Sequence, residues 1–394
     1  MDKKIVLKKG KDGPVRRFHP WIFSGAIAKM TGNPQEGDVL QVEGPDGTWL
    51  GMAHYQKGSI TGRIISFEDN QADKAFFSKR LYSALTLRQK LGLVGSEHTN
   101  VFRLVHGEGD GLPGLIIDYY NGTAVMQCHS VGMYKNRDVI VESLREVLKD
   151  RLQAVYDKSG ETLPRKAPVD INDGYLWGSS GTNEVLEYGH RFLIDWEKGQ
   201  KTGFFIDQRE NRKLLASFSE GKSVINTFCY TGGFSIYALS AGATEVHSVD
   251  SSAKALTLTD ENVQLNFPEG RDHQSINADV VKYIREVDDK FDVVILDPPA
   301  FAKHVNVRHN AVQGYKRLNA EAIKRMKSGS VLFTFSCSQV VDRLLFSNTI
   351  AAAAIEARRK VRVLHHLSQP PDHPVNIFHP ESEYLKGLVL YIED

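Results

Sequence analysis

From about residue 195 onward the chain alternates short β-rich apolar runs with helix-like stretches, and no other feature restricts its folds so strongly. The runs "SVINTFCY", "EVHSVD", "FDVVILD" and "SVLFTFS" are separated by segments such as "AKALTLTDENVQLN" and "AEAIKRM". Near-continuous apolar strands alternating with helices predict a parallel sheet covered on both faces. Ligands of such sheets bind outside the carboxyl ends of the strands, so those ends are where chemistry is expected.

The front of the chain has another rhythm. Over the first ~70 residues, "VLQVEGPDGTWLGMAHY" reads as strand, Gly-Pro-Asp-Gly turn, strand, and "SITGRIISF" as a further strand, which predicts a small β-barrel. Lys3, Lys4, Lys8, Lys9, Lys11, Arg16 and Arg17 meet only Asp2 and Asp12 within the first 17 residues. Such an excess suits either a phosphate backbone or a solvated tail. From about 73, Phe77, Leu81, Ala84 and Leu85 fall at helical spacing. Asn121-Gly122 between two β-rich runs predicts a hairpin, and Ile140, Leu144, Val147 and Leu148 restore the helical period. The expectation is an α/β chain of three modules: a barrel over 1–72, a small α+β domain over 73–190 closing in "WGSSGTNE", and the alternating sheet over 191–394.

Composition excludes more than it selects. A chain of 394 residues that is 41% hydrophobic and 25% charged is not disordered. Its 49 basic and 48 acidic residues give a net charge of +1, with no global bias toward nucleic acid. Three unpaired cysteines, Cys128, Cys229 and Cys337, argue against a disulfide framework or a zinc site and suit a reducing cytoplasm. The fourteen histidines show no metal-type spacing; His365, His366 and His373 are expected at the surface or facing RNA. No run approaches the ~20 apolar residues of a membrane span, and the start lacks a signal-peptide core.

Five strand ends carry chemistry. The first leads into "NTFCYTGGFS", where Gly232 and Gly233 open a helix and let the backbone approach a ligand. The second ends in Asp250, suited to a ribose diol. After a third strand, Asp279 suits an adenine amino group, with Ala278 and Val280 beside the ring. The glycine pattern is not Gly-x-Gly-x-x-Gly, which disfavours a nicotinamide or flavin dinucleotide. The fourth strand ends in Asp297-Pro298-Pro299-Ala300-Phe301, a turn stiffened by two prolines with a carboxylate at its start. The fifth ends at Cys337 of "FTFSCS". Cys128 and Cys229 read as buried small hydrophobes.

"TGFFIDQRENR", "NTFCYTGGFS", "VDSSAKAL", "DPPAF", "GYKRLN", "FTFSCS", "DHP" and "YLKG" occur in an order that resembles the RlmI-type family, bacterial S-adenosylmethionine-dependent methyltransferases that make 5-methylcytosine in 23S ribosomal RNA. "RRFHPWIFSGAI" resembles that family's PUA domain, and "GEGDGLPGLIIDYYNG" its middle domain. The resemblance implies a PUA domain for RNA docking, a central domain and a Rossmann-like methyltransferase domain. It also implies S-adenosyl-L-methionine held by Phe228, Gly232 and Gly233 at its methionine part, Asp250 at its ribose, and Ala278 and Asp279 at its adenine. Phe205, Gln208 and Arg209 would close the pocket. Two positions depart from the family pattern: Ala300, where relatives often carry Lys, and Asn226, where many methyltransferases carry an acid.

Cytosine C5 is a poor nucleophile, and thiolate addition at C6 turns it into an enamine, which gives a cysteine beside a methyl donor a purpose. Cys337 is the expected nucleophile, and Asp297, if protonated, the donor to cytosine N3. The rival readings are methylation of an exocyclic nitrogen and a non-catalytic RNA-binding assembly factor. The partner expected is 23S rRNA, with no membrane; whether the chain is a monomer or a homodimer is left open.

Overall fold

The computed structural model describes residues 3–68, 72–179, 181–302 and 304–394, which leaves Asp2 of the basic run and Ser180 of the serine-glycine stretch outside the described residues. The chain divides into two compact units. The first comprises the chain up to Gly189, with Ile194–Ile206 and Pro371–Ser382; the second comprises His190–Leu193, Asp207–Pro370 and Glu383–Asp394.

Within the first unit, strands Lys4–Leu7, Trp21–Phe23, Ile27–Thr31, Val39–Glu43, Trp49–Tyr55 and Ile60–Ser66 form one six-stranded sheet. Side chains alternate between buried and half-buried along Lys4–Leu7 and Val39–Glu43, the period-2 pattern of a strand with one face in the core. Ile5, Leu7, Leu40, Val42, Ala53 and Ile64 fill that core. A second, five-stranded sheet takes Val101–His106, Leu115–Tyr120, Thr123–Cys128, Ala154–Asp157 and Gly174–Gly178. Tyr120 pairs with Thr123, so Asn121-Gly122 is the whole loop, with φ of 42° and 102°. Both values are positive, as a type I′ turn requires. Helices Lys74–Lys90 and Arg137–Leu148 pack on this sheet through Phe77, Leu81, Leu85, Ile140 and Leu144, the spacing read from the sequence. Cys128 is fully buried.

The second unit is built on seven strands: β1 Ser223–Thr227, β2 Glu245–Asp250, β3 His273–Asn277, β4 Val293–Leu296, β5 Val331–Ser336, β6 Lys360–Ser368 and β7 Lys386–Glu393. Their order is β3-β2-β1-β4-β5-β7-β6. The helices are α1 Arg209–Ala216, α2 Gly233–Ser240, α3 Ala253–Asn266, α4 Val280–Ile284, α5 Arg308–Arg325 and α6 Arg343–Ala357. Strands β1 to β5 are parallel, which places their carboxyl ends along one edge. The order reverses on either side of β1, the switch point at which such sheets bind ligands.

Two strands that sequence reading did not place extend the expected parallel sheet. β7 inserts between β5 and β6 and runs antiparallel to both. The β6–β7 connection carries no α-helix, and antiparallel neighbours need no helical crossover. Val389, Leu390 and Ile392 of β7 are buried, so this strand completes the core.

Candidate active site at the carboxyl ends of the sheet

Strand β1 ends with two buried polar residues. Thr227 Oγ1 donates to the Ile295 carbonyl of β4 (2.6 Å), and Asn226 Nδ2 donates to Ser235 Oγ (2.9 Å). Ser235 bonds Ser248 Oγ (2.7 Å), which meets His273 Nε2 (2.8 Å) at the start of β3, so a line of polar groups links β1, α2, β2 and β3. The chain then passes through Phe228 (φ 56°), Tyr230 (φ 49°) and Gly232 (φ 77°). Two bulky residues in the left-handed region within three positions cost of order 1–3 kcal/mol each, and such strain persists where a ligand site requires the shape. Gly232 precedes α2, and a Cβ there would stand 2.6 Å from Thr259 Cγ2; one on Gly233 would stand 3.0 Å from Arg212 Cδ. Glycine is therefore required at Gly232, for close approach and for its φ, while a side chain at Gly233 would press on the buried Arg212.

Asp250 closes β2. Its Oδ2 accepts from Tyr230 N–H (3.1 Å) and its Oδ1 from Ser252 N–H (2.9 Å), which fixes the carboxylate beside the strained turn while each oxygen keeps a second lone pair. A ribose diol fits that acceptor set. Ala278 N–H bonds the Asp250 carbonyl (3.1 Å), so β3 delivers Ala278 next to the end of β2. Asp279 caps α4, its Oδ1 accepting from Lys282 N–H (2.9 Å), and its side chain is exposed. The carboxylate expected at an adenine thus also serves as an ordinary N-cap.

At the end of β4, Gln208 Nε2 donates to Asp297 Oδ2 (3.0 Å), and Gln208 Oε1 accepts from Asn211 Nδ2 (2.6 Å). The placement of Gln208 is thereby toward Asp297. Burial, and then the negative charge of Asp207, push the Asp297 carboxyl up to about 7, against the Gln208 hydrogen bond and the charge of Arg212. Asp297 is therefore partly protonated at neutral pH. Asp207 is held by the Tyr384 hydroxyl (2.7 Å), and its other oxygen is buried without a hydrogen-bond partner among the described residues. Arg209, Asn211, Arg212 and Leu215 form the buried face of α1.

Cys337 follows β5, the neighbour of β4 in the sheet, with Leu296 paired to Thr334. It is half-buried, whereas Cys128 and Cys229 are buried. Burial pushes the Cys337 thiol up to about 12, with the charges of Asp297 and Asp207 adding and Lys386 opposing. The flanking serines do not address the sulfur. Ser338 Oγ donates to the Ala302 carbonyl (2.6 Å), and Ser336 Oγ accepts from Ser338 N–H (3.4 Å). Lys386, only 4% exposed, donates to the carbonyls of Ser338 and Val341, each at 2.6 Å.

The structure thus gathers Gln208, Asp297 and Cys337 at β4 and β5, and Phe228, Gly232, Gly233, Asp250 and Ala278 at β1 to β3. Phe205 belongs by its segment to the first unit. Sequence reading missed Asp207, Arg212, Tyr384 and Lys386. The signal for Arg212 was present: Gln208, Asn211, Arg212 and Leu215 stand at i, i+3, i+4 and i+7, and a buried helical face that is polar marks a site. Tyr384 and Lys386 lie in the "YLKG" run, where Lys386 opens a strand that sequence reading did not place and Tyr384 just precedes it.

His365 and His366 are exposed, but His373 is not, which corrects its expected surface position. Asp372 accepts from the backbone N–H of Arg103 (2.9 Å) and its carbonyl from Arg88 (2.6 Å), which draws the Asp-His-Pro turn inward within the first unit. The basic run is folded rather than a loose tail. Lys3 pairs with Asp38, Lys4 with Glu43, and Arg16 with Asp12 and Asp46. Lys9, Lys11 and Arg17 are exposed and make no ion pair among the described residues, while Lys8, also exposed, bonds the Gly25 carbonyl (3.1 Å). His19, His379 and Glu381 converge within the first unit, with His19 Nε2 3.4 Å from Glu381 Oε1, a grouping their distance in sequence concealed. No helix among the described residues is long and apolar enough to cross a membrane.

Residues 5–67 match the model of a PUA-like domain, and residues 103–386 that of an S-adenosylmethionine-dependent methyltransferase. The ribosomal RNA large subunit methyltransferase I of Aeromonas hydrophila is 39% identical over 398 residues, 99% of each chain. That of Vibrio vulnificus is 40% identical over 400 residues, 98% of this chain and 99% of the relative. Among solved structures, a chain described as a SAM-dependent methyltransferase from Streptococcus mutans superposes with a TM-score of 0.84 at 23% identity, covering 99% of this chain and 100% of that one. Another structure of equal likeness is a methyltransferase complexed with SAH. Trm5b from Pyrococcus abyssi shares the fold at a TM-score of 0.52 and 19% identity, over 71% of this chain and 75% of that one.

Proposed function

The chain belongs to the ribosomal RNA large subunit methyltransferase I family of S-adenosylmethionine-dependent methyltransferases, and from that premise we propose that it methylates C5 of one cytosine in large-subunit (23S) ribosomal RNA through a covalent Cys337–C6 adduct. The observation that carries the reading is the pairing of a half-buried thiol with a carboxyl raised to about 7 at the ends of adjacent parallel strands. A nitrogen methyltransferase has a use for Asp297 and none for Cys337.

S-adenosylmethionine, when bound, supplies an electrophilic methyl sulfonium. The strained turn through Phe228 and Gly232 and the carboxylate of Asp250 hold and orient it, with Ala278 and Asp279 toward the base. Cys337 attacks C6 as thiolate, while protonated Asp297 gives its proton to N3, so that C5 gains the electron pair that takes the methyl group. The two groups assist each other. Protonation removes the Asp297 charge that otherwise raises the thiol, so the form of Asp297 able to donate is also the form that favours the thiolate. Loss of the C5 proton to a base then lets the C6–S bond break and frees Cys337. The target base must leave its stack, at a cost of a few kcal/mol, which favours a loop or opened segment of rRNA.

The same family gives the first module its role. The exposed Lys8, Lys9, Lys11 and Arg17 are the groups we assign to RNA phosphates, and the three modules, 1–72, 73–190 and 191–394, divide into RNA docking, a central domain and catalysis.

The test is a crosslink. Large-subunit rRNA carrying 5-fluorocytidine should form a stable adduct with the wild type in the presence of S-adenosylmethionine and none with Cys337→Ala. An adduct that survives the substitution sinks the mechanism, and methylation mapped to an exocyclic nitrogen replaces the reaction.

A further inference from the structure

Lys386 opens β7 and pairs in register with Ser336, the last residue of β5 before Cys337. Its buried ammonium donates to the carbonyls of Ser338 and Val341, both at 2.6 Å, and so closes the turn that carries the thiol. From that same turn Ser338 Oγ reaches the Ala302 carbonyl (2.6 Å), in the loop that begins at Asp297. One cation therefore braces the turn after Cys337, and through Ser338 ties it to the loop after Asp297.

A brace alone does not need a charge. Among the described residues Lys386 has no carboxylate within ion-pair distance, and an ammonium buried without a counter-ion is far more costly to desolvate than a neutral donor. That arrangement makes sense where a negative charge appears beside it during the reaction. We propose that Lys386 is a positioning residue: it fixes the turn that presents Cys337 opposite Asp297, and its buried charge stabilises the attacking thiolate. The proposal rests on the reading of Cys337 as nucleophile.

The surrounding charges agree in sign. Burial pushes the Lys386 ammonium down to about 8, while Cys337, Glu383 and Asp342 hold it up and Arg343 opposes them. Facing the thiol, Asp297 and Asp207 push it up, and Lys386 lowers it.

The experiment measures alkylation of Cys337 by iodoacetamide as a function of pH in the full-length protein, read from the mass of the Cys337 peptide. In parallel, kcat and KM are measured for S-adenosylmethionine and rRNA. Lys386→Gln keeps donors for the carbonyls and removes the charge; Lys386→Arg keeps the charge. Thermal unfolding and calorimetric S-adenosylmethionine binding confirm that each variant is folded. Lys386→Gln should alkylate about tenfold more slowly at pH 8 and lose about a hundredfold in kcat, with KM for S-adenosylmethionine within twofold. Lys386→Arg should recover most of the alkylation rate. Wild-type alkylation profiles in a folded Lys386→Gln variant overturn the proposal. Failure of the underlying reading looks different: Cys337→Ala would then keep methylating while the alkylation of Cys337 still depended on Lys386.

Discussion

The two halves of the strand-end edge solve different problems. At β1 to β3 the groups proposed to face a ligand are backbone, glycine and two carboxylates, Asp250 and Asp279, and their partners are local: Asp250 is held by Tyr230 and Ser252 N–H groups within 20 residues, and Asp279 by Lys282 N–H. At β4 and β5 the groups are side chains displaced from their ordinary ionisation. Their partners come from far away in sequence, with Gln208 reaching Asp297 across 89 residues and Lys386 reaching Ser338 across 48. A site that only binds needs complementary shape and satisfied acceptors. A site that moves protons and attacks carbon needs groups held out of their resting state, and that takes surrounding burial and charge.

If this division is right, substitutions on the two sides separate by what they change. The largest effect is expected for Cys337→Ala, which should lower methyl transfer on the order of 10⁴-fold or more while calorimetry finds S-adenosylmethionine affinity unchanged. A retained activity breaks the comparison at its centre.

Asp297→Asn comes next, at roughly 10²–10³-fold in kcat. The pH dependence sharpens it. With a carboxyl raised to about 7, the donor form is present below that pH and lost above it, so wild-type kcat/KM should fall through pH 7–8 on this limb, and the Asn variant should lack the limb. Stability moves with the same sign. Because burial raises the folded value from 3.8, the folded state binds more protons than the unfolded one between about pH 4 and 7. Wild-type stability is therefore lost as pH rises through that window, and Asn should be the more thermostable at pH 8 by a few degrees and not at pH 4.

On the binding side, Asp250→Asn should weaken S-adenosylmethionine by about 10–100-fold, as expected for a hydrogen bond to a charged group, and leave the 5-fluorocytidine adduct intact at saturating cofactor. A loss of adduct at saturation would show that the halves are not separable. The smallest effect lies outside both. Changing Lys8, Lys9, Lys11 and Arg17 to Gln should reduce rRNA affinity several-fold and lower the salt dependence of binding by about 0.7 for each phosphate no longer neutralised, without altering kcat.

The turn and strand ends of the proposed binding half were legible in sequence because their determinants are local. Gly232 and Gly233 announce a turn, Asp250 ends an apolar run, and each acts within its own stretch of chain. Asn121-Gly122 was readable for the same reason, since a two-residue loop with both φ values positive depends on those two residues alone. The Asp297 turn and Cys337 were readable as positions. Their state was not: whether a carboxyl sits near 4 or near 7 depends on Asp207, Arg212 and burial. His373 shows the same limit. A histidine in a Pro-rich, polar segment reads as surface, and only the bonds made by its neighbour Asp372 to Arg88 and Arg103 draw it inside.

By itself, then, the amino-acid sequence determined the alternation of strand and helix, the sheet edge that carries the candidate site, the glycines of the turn and the positions of Asp297 and Cys337 at strand ends, all set by periodicity and by local backbone restrictions. Tertiary structure alone decided that β7 enters the sheet antiparallel beside β5, and with it that Lys386 and Tyr384 arrive at the site. It also decided that Gln208 turns to Asp297 and that Asp297 and Cys337 leave their ordinary ionisation. Hydrogen bonds and burial between segments distant in the chain have no signature in composition or spacing, because they arise only when the chain has closed around them.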